Sequence, residues 1–375
     1  MAGKCVFSYL ICEEKRIVPE LPVEKEFGRY TILVDGNTPF SYACSGTIAC
    51  AIYGLAVSVV SGKSDDIATQ IAENCKNIED VVAFEKDLGG KYIILFKCDE
   101  RYYIQGDATC SIPIYYNTAG YFICSSNCQY IVDAKKYHTD SEYLSIRNSG
   151  DIFQAMPYDI TPYRQIKQLI PNHYLDINKQ AATRFINAKG IQKTIAIKEA
   201  TDIVLPMIER ILALYLQNYQ IYCPITAGRD SRVVLSFLMK CKAEISCYTI
   251  KLPEHNEKTQ DIAIPIALCK KEGIAHNLVE SIILTDAMIK EADDILGQGN
   301  YSVRTLYIAQ TIKEYFGNGA IINGDIIGQI GKCSLHRDIP AIFATPAYFR
   351  CKLHNYSKGA KYQLKQWLKE IELCG

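Results

Sequence analysis

Seven consecutive residues, Thr226-Ala227-Gly228-Arg229-Asp230-Ser231-Arg232, combine a small-residue turn, two hydroxyls, a carboxylate and two guanidinium groups. They follow a short apolar run, Ile221 to Ile225, and precede Val233 to Met239, whose apolar residues recur at helical spacing. That order predicts a buried strand, a tight turn and a helix start. Such a junction holds anions, because the backbone N–H groups of the turn and of the helix N-terminus point at one spot. A carboxylate inside it suits Mg²⁺, which takes one or two carboxylates together with phosphate oxygens. The ligand expected is a nucleoside triphosphate, with Asp230 on its metal. The stretch lacks the Gly-Lys-[Ser/Thr] of a Walker A loop and the Gly-x-Gly-x-x-Gly of dinucleotide sites.

The elements around it must form a scaffold that aims the turn. Ile203, Met207, Ile208, Ile211, Leu212 and Tyr215 recur at helical spacing, with Pro206 marking a start or a kink. A strand is expected at Ile245–Ile250, a helix at Thr259–Glu272, a further segment at His276–Val279 and a strand at Ala320–Ile322. Strands alternating with helices give a parallel sheet covered on both faces, which is α/β architecture. Ligands of such sheets lie beyond the carboxyl ends of the strands, where the strand order reverses. The first half reads differently. Tyr92–Phe96 and Tyr102–Ile104 flank a polar turn, and Ile112–Tyr116 and Tyr121–Cys124 flank Asn117-Thr118-Ala119-Gly120, so two hairpins are expected. A helix is expected over Ile67–Ala83, making this half a layered α+β domain. The polar stretch 187–194, with Gly190, reads as a linker, which sets the domains at 1–187 and 195–375.

Bulk properties are those of a globular chain: 375 residues, 49% hydrophobic and 22% charged, are enough for two cores. A formal net charge of zero gives no electrostatic pull toward nucleic acid or membrane. No run approaches the roughly 18 apolar residues of a membrane span. Lys4 and the charges from Glu13 to Arg16 cut short any signal-like stretch. Sixteen cysteines sit singly in apolar runs, as small core hydrophobes of a reducing, cytoplasmic setting do. Cys124 and Cys128 lack the spacing of a zinc site.

The Thr226–Ser231 loop resembles Ser-Gly-Gly-x-Asp-Ser, the pyrophosphatase loop of enzymes that cleave ATP to AMP and pyrophosphate, with Gly228, Asp230 and Ser231 intact. Further matches are colinear. Asp261-Ile262-Ala263 through Ala267, then Gly273-Ile274-Ala275-His276, are similar to the asparagine synthetase family, where an Asp precedes a helix that ends in Gly-x-x-His. Leu88–Tyr92, Gly106–Tyr116, Cys124–Ser126 and Thr161–Leu175 resemble segments of its first domain, so the likeness runs over roughly residues 30 to 330. It implies an Ntn-hydrolase-like glutaminase-type domain, then a Rossmann-like, adenine nucleotide alpha hydrolase-like domain. It further implies ATP and Mg as cofactors and activation of a carboxylate, on a small molecule or peptide, as its acyl-AMP. Thr226, Ala227, Gly228 and Ser231 would cradle pyrophosphate, and Ile250 would lie against adenine. Asp230 would act in catalysis and bind the metal, with Asp325 of Asn323-Gly324-Asp325 as the second ligand. Arg232 is either a second phosphate donor or a solvated helix residue, and Asp261 either faces the site or caps its helix, the cap being favoured.

Departures from the family pattern carry expectations of their own. Ala2 stands where the nucleophilic Cys belongs, and Cys5 reads as a strand cysteine, which implies an inert glutaminase half and ammonia from a partner. The early C-terminus, where Lys352 and Lys358 are poor substitutes for the family's catalytic Lys, implies a truncated or split homologue completed by another subunit. The same departures support an alternative: a degenerate homologue that binds nucleotide or a partner without turnover. Gln298-Gly299-Asn300-Tyr301 either lines the acceptor pocket or forms a surface turn.

Overall fold

The computed structural model describes residues 7–62, 66–132, 137–138, 140–147, 158–185, 195–252, 255–296, 303–316, 319–324, 345–352 and 357–370. The chain divides into two units, one of Met1–Ile195, Ala292–Asn300 and Pro340–Gly375, the other of Ala196–Glu291 and Tyr301–Ile339.

The first unit begins with β1 (Tyr9–Cys12), β2 (Val23–Phe27), β3 (Tyr30–Val34), β4 (Phe40–Ser45) and β5 (Ile48–Ser58), followed by α1 (Ile67–Asn74) and α2 (Ile78–Glu85). Then come β6 (Leu88–Cys98), β7 (Arg101–Gly106), β8 (Tyr115–Asn117), β9 (Ile123–Ser125), α3 (Cys128–Val132), α4 (Ser141–Arg147), β10 (Ile166–Gln168), β11 (His173–Asp176) and β12 (Ala181–Arg184). The strands make two six-stranded sheets, in the orders β10-β8-β9-β1-β3-β2 and β12-β11-β7-β6-β5-β4. Side-chain alternation shows how they stack. In β1, Tyr9 and Ile11 join a core shared with Tyr53, Leu95 and Ile104 of the other sheet, while Leu10 and Cys12 point the opposite way, toward Ile131 of α3. In β6, Ile93 and Leu95 face that shared core, while Ile94 and Phe96 pack with Ile71 of α1 and Val81 of α2. The sheets therefore stack face to face between helical outer layers, and their central strands are apolar on both faces. Both expected hairpins form, β6–β7 and β8–β9, each antiparallel. Asn117 closes the second: its side-chain amide donates to Ala119 O and Tyr121 O and accepts the Ile123 N–H.

Two glycines fix the approach of β5 to β6. Gly54 and Gly90 have φ of +117° and +121°, and a Cβ on them would lie 2.3 Å from Lys91 O and 2.1 Å from Leu55 O. No side chain fits there. The single helix expected over Ile67–Ala83 is two helices, because Asn77 takes an extended conformation and its side chain accepts the Asp80 N–H as the N-cap of α2.

From Ile197 onward the order is α5 (Ile197–Asn218), β13 (Ile221–Pro224), α6 (Arg229–Lys240), β14 (Ile245–Lys251), α7 (Gln260–Glu272), β15 (Ala275–Glu280), α8 (Asp286–Leu296), α9 (Val303–Phe316) and β16 (Ala320–Ile321). The four strands pair in parallel in the order β15-β14-β13-β16. Ile221, Cys223 and Cys247 of the sheet meet Leu212 of α5, Leu235 and Leu238 of α6 and Cys269 of α7 in one core. Helix α5 continues through Pro206, where the sequence predicted a start or kink. The proline ring forfeits one backbone hydrogen bond without ending the helix.

Two helices follow, α10 (Pro346–Lys352) and α11 (Lys358–Glu370). Sequence reading placed residues 195–375 together, whereas the chain from Pro340 onward groups with the first unit. The reason is a set of specific contacts. Ala360 shares a small core with Tyr143, Ile146 and Ile160. Gln363 Nε2 donates to Glu142 Oε2 at 2.8 Å. Glu370 lies 2.9 Å from His173 Nε2 and accepts the Tyr158 hydroxyl. His173 Nδ1 donates to Pro171 O, which can only accept. Burial alone would raise the Glu370 carboxyl, but His173 and Tyr158 hold it below its usual value. No helix among the described residues is long and apolar enough to cross a membrane.

Candidate functional site

The second unit builds its most chemically equipped corner where β13 ends. Ile221, Cys223 and Ile225 are buried, and the Ile225 N–H still bonds Tyr248 O at 2.9 Å, so the chain leaves the sheet only at Thr226. Helix α6 starts three residues later with Gly228 as an N-cap that supplies no side-chain acceptor. The helix holds its place by burying Val234, Leu235 and Leu238, and its first turn is left pointing outward. In chain order the sheet reads third, second, first, fourth strand, so crossovers run in one direction from β13 to β15 and in the other to β16. The gap between β13 and β16 is thus the reversal point at which open α/β sheets bind ligands.

The predicted loop residues meet one another here. Thr226 N–H donates to Ser231 Oγ at 3.2 Å, and Gly228 N–H donates to Thr226 Oγ1 at 3.1 Å. The Ser231 hydroxyl lies 3.4 Å from Thr226 O and 3.3 Å from Gly228 O. Thr226, Gly228 and Arg229 are exposed, whereas Asp230 and Ser231 are half-buried in the first turn of α6. Arg232 is an exposed helix residue whose Nε donates to Gly228 O at 3.1 Å, so the guanidinium ties the turn to the helix. The chain after β16 closes against this corner. A Cβ on Gly324 would sit 2.6 Å from the Asp230 carbonyl carbon and 3.0 Å from Ser231 N, so only glycine permits that approach. Asp325, the expected second metal ligand, and Gln298–Tyr301 lie outside the described residues. Among the described residues, no group of three or more His, Cys, Asp and Glu is placed to hold a metal ion.

Asp261 corrects the sequence reading. The N-cap of α7 is Thr259, and Asp261 sits in the first helical turn. Its Oδ1 accepts the Ala227 N–H at 2.9 Å, so it faces the loop. The sequence held no signal for this, because aspartate caps helices at least as well as threonine; the extended backbone at Thr259 sets the cap position. Sequence reading also missed Thr249. Its hydroxyl donates to Ile225 O at 2.7 Å and lies 2.9 Å from His276 Nε2, coupling β13, β14 and β15 just below the loop. With its one proton given to Ile225, the hydroxyl accepts from the imidazole. Burial lowers the His276 pKa. Ile250, expected against adenine, is half-buried and pairs with Val279 of β15.

The first unit carries its own densely bonded carboxylate, Asp35, 2% exposed. It accepts from Ser8 N, Asn37 N, Thr38 N and the hydroxyls of Thr38 and Tyr53. Burial alone would raise its pKa, but the Tyr53 hydroxyl and the backbone donors outweigh it and hold the group low.

No protein-family model and no curated protein matches the sequence. Among solved structures, glutamine phosphoribosylpyrophosphate (PRPP) amidotransferase from B. subtilis, complexed with ADP and GMP, is similar over 70% of this chain at 11% identity and a TM-score of 0.28. The chain spans 56% of that protein's length in the match.

Proposed function

We propose that the chain binds ATP on the Thr226–Arg232 loop and activates a carboxylate as its acyl-AMP for amide formation, as an asparagine synthetase-like ligase. One observation carries the reading: the loop stands at the carboxyl end of β13, beside the strand-order reversal, with the Gly324 backbone pressed on Asp230 and Ser231. The colinear sequence likeness supplies the reaction class. The residues present fit the groups implied. Thr226, Gly228 and Ser231 offer a hydroxyl-lined turn ahead of a 12-residue helix whose N-cap lacks a side-chain acceptor, which suits a phosphate chain. Asp230, half-buried in that first turn, is the carboxylate for Mg²⁺, with Asp325 as the proposed companion. Bound Mg²⁺ would offset charge on the departing pyrophosphate. Arg232 orients the turn through Gly228 O. Activation is needed because a carboxylate oxygen leaves poorly and AMP leaves well.

The first unit, with two stacked antiparallel sheets between helices, is proposed as the Ntn-hydrolase-like domain, and the carboxylate donor as a small molecule or peptide. Ammonia or another amine would come from a partner. Carboxylate-dependent exchange of labelled pyrophosphate into ATP tests the reading. Exchange that is lost in Asp230→Ala supports it, and exchange that survives that change sinks it.

A second reading is a degenerate homologue that binds a nucleotide or a partner without turnover. The observation behind it is that the N–H groups of Thr226, Ala227 and Gly228 are all engaged inside the protein, which leaves none of the three to stabilise a departing pyrophosphate. ATP binding without exchange, across a panel of carboxylates, would establish it.

A further inference from the structure

Asp261 stands where an incoming anion would be drawn. It lies in the first turn of α7, whose N-cap Thr259 makes no side-chain hydrogen bond to the helix. It reaches Ala227, one residue before the N-cap of α6, which also lacks a side-chain cap bond. The positive ends of two helices thus serve one carboxylate. The other two turn N–H groups, of Thr226 and Gly228, are held by neutral hydroxyls. A hydroxyl rotates away from a donor at little cost. A carboxylate both occupies the donor and repels a phosphate that needs it.

We infer that Asp261 is a resident anion of the loop, holding the Ala227 N–H in the ligand-free protein and yielding it to the phosphate chain of a nucleotide. The inference rests on reading Thr226–Arg232 as a phosphate loop, and it assigns the setting of nucleotide affinity to a residue on another helix. It also separates Asp261 from Asp230: the former opposes a bare phosphate chain, the latter favours a metal-complexed one. Asp261 is a positioning residue in this scheme, since it acts through the Ala227 amide.

The test is calorimetric titration of the full chain with ATP, at low ionic strength and without magnesium. Asp261→Asn keeps the shape and an acceptor oxygen but removes the charge, and it binds about tenfold more tightly, the effect of removing one like-charge contact near a protein surface. Asp261→Ser, uncharged with a different shape, gives a gain of the same sign, while Asp261→Glu stays at the wild-type affinity. A purely structural role moves affinity the other way, because a loosened loop binds less well. Unchanged or weaker binding in both uncharged variants, with a wild type that binds, overturns the resident anion and leaves the loop reading intact. Absence of ATP binding by wild type and variants alike overturns both.

Discussion

Asp35 and Asp261 are both carboxylates that accept backbone N–H groups, yet their surroundings differ in kind. Asp35 is buried under five donors, and it clamps the start of β1 to the turn after β3. Asp261 is half-buried and takes one loop amide across from a neighbouring helix. A saturated carboxylate is structural, because every donor around it would be orphaned by its loss. A carboxylate with a single labile donor can give that donor up. Coordination, more than residue type, separates a fastening from a functional contact.

Asp35 carries the heavier penalty. Asp35→Ala leaves its donors unpaired in the core and lowers stability by about 4 kcal/mol, read from urea unfolding of the first unit. A loss below about 1 kcal/mol would show that water replaces the carboxylate and that the contrast with Asp261 is empty. Next in size is Asp230→Ala, expected to reduce pyrophosphate exchange at least about 100-fold, or roughly 3 kcal/mol, with an unchanged unfolding midpoint.

Acid and base titration separate the buried carboxylates by the sign of their shifts. The Asp35 and Glu370 carboxyls are lowered in the fold, so their stabilisation is complete above the unfolded value of about 4 and is lost as pH falls through their folded values. Glu85 behaves oppositely. Burial, with Asp107 adding to it and the Tyr92 hydroxyl opposing, pushes it up to about 7. Its contribution is therefore complete below pH about 4.3 and is lost as pH rises toward 7. Glu85→Gln should flatten that decline, gaining about 2 kcal/mol at pH 8 relative to wild type. A decline that persists in the variant assigns it to another group. The smallest effect belongs to Asp261→Asn, whose unfolding free energy stays within about 0.5 kcal/mol of wild type while its ATP affinity shifts.

Much of the scaffold was legible in the sequence because its signals are local. The β6–β7 and β8–β9 hairpins follow from apolar runs broken by turn residues, and the β13–loop–α6 junction follows from a short strand run meeting helical spacing. The break between α1 and α2 was missed because Ile67–Ala83 keeps an apolar period through Asn77, whose capping bond decides the outcome. The C-terminal helix was misplaced for a different reason. Its partners Glu142, Tyr158 and His173 lie some two hundred residues upstream, and helical periodicity says which face is apolar without saying what will cover it.

The chemistry on offer is written in the residues: a hydroxyl-lined turn with Asp230, an aspartate at 261, a glycine at 324 and the spacing that makes strands and helices around them. The tertiary structure decided which of these meet. It put Arg232 on Gly228 O, Gly324 on the first turn of α6, and Asp261 on the Ala227 amide in place of a helix cap. Strand order brings the ends of β13 and β16 side by side, and order in a parallel sheet is set by crossover packing between distant segments, which no local window of residues contains.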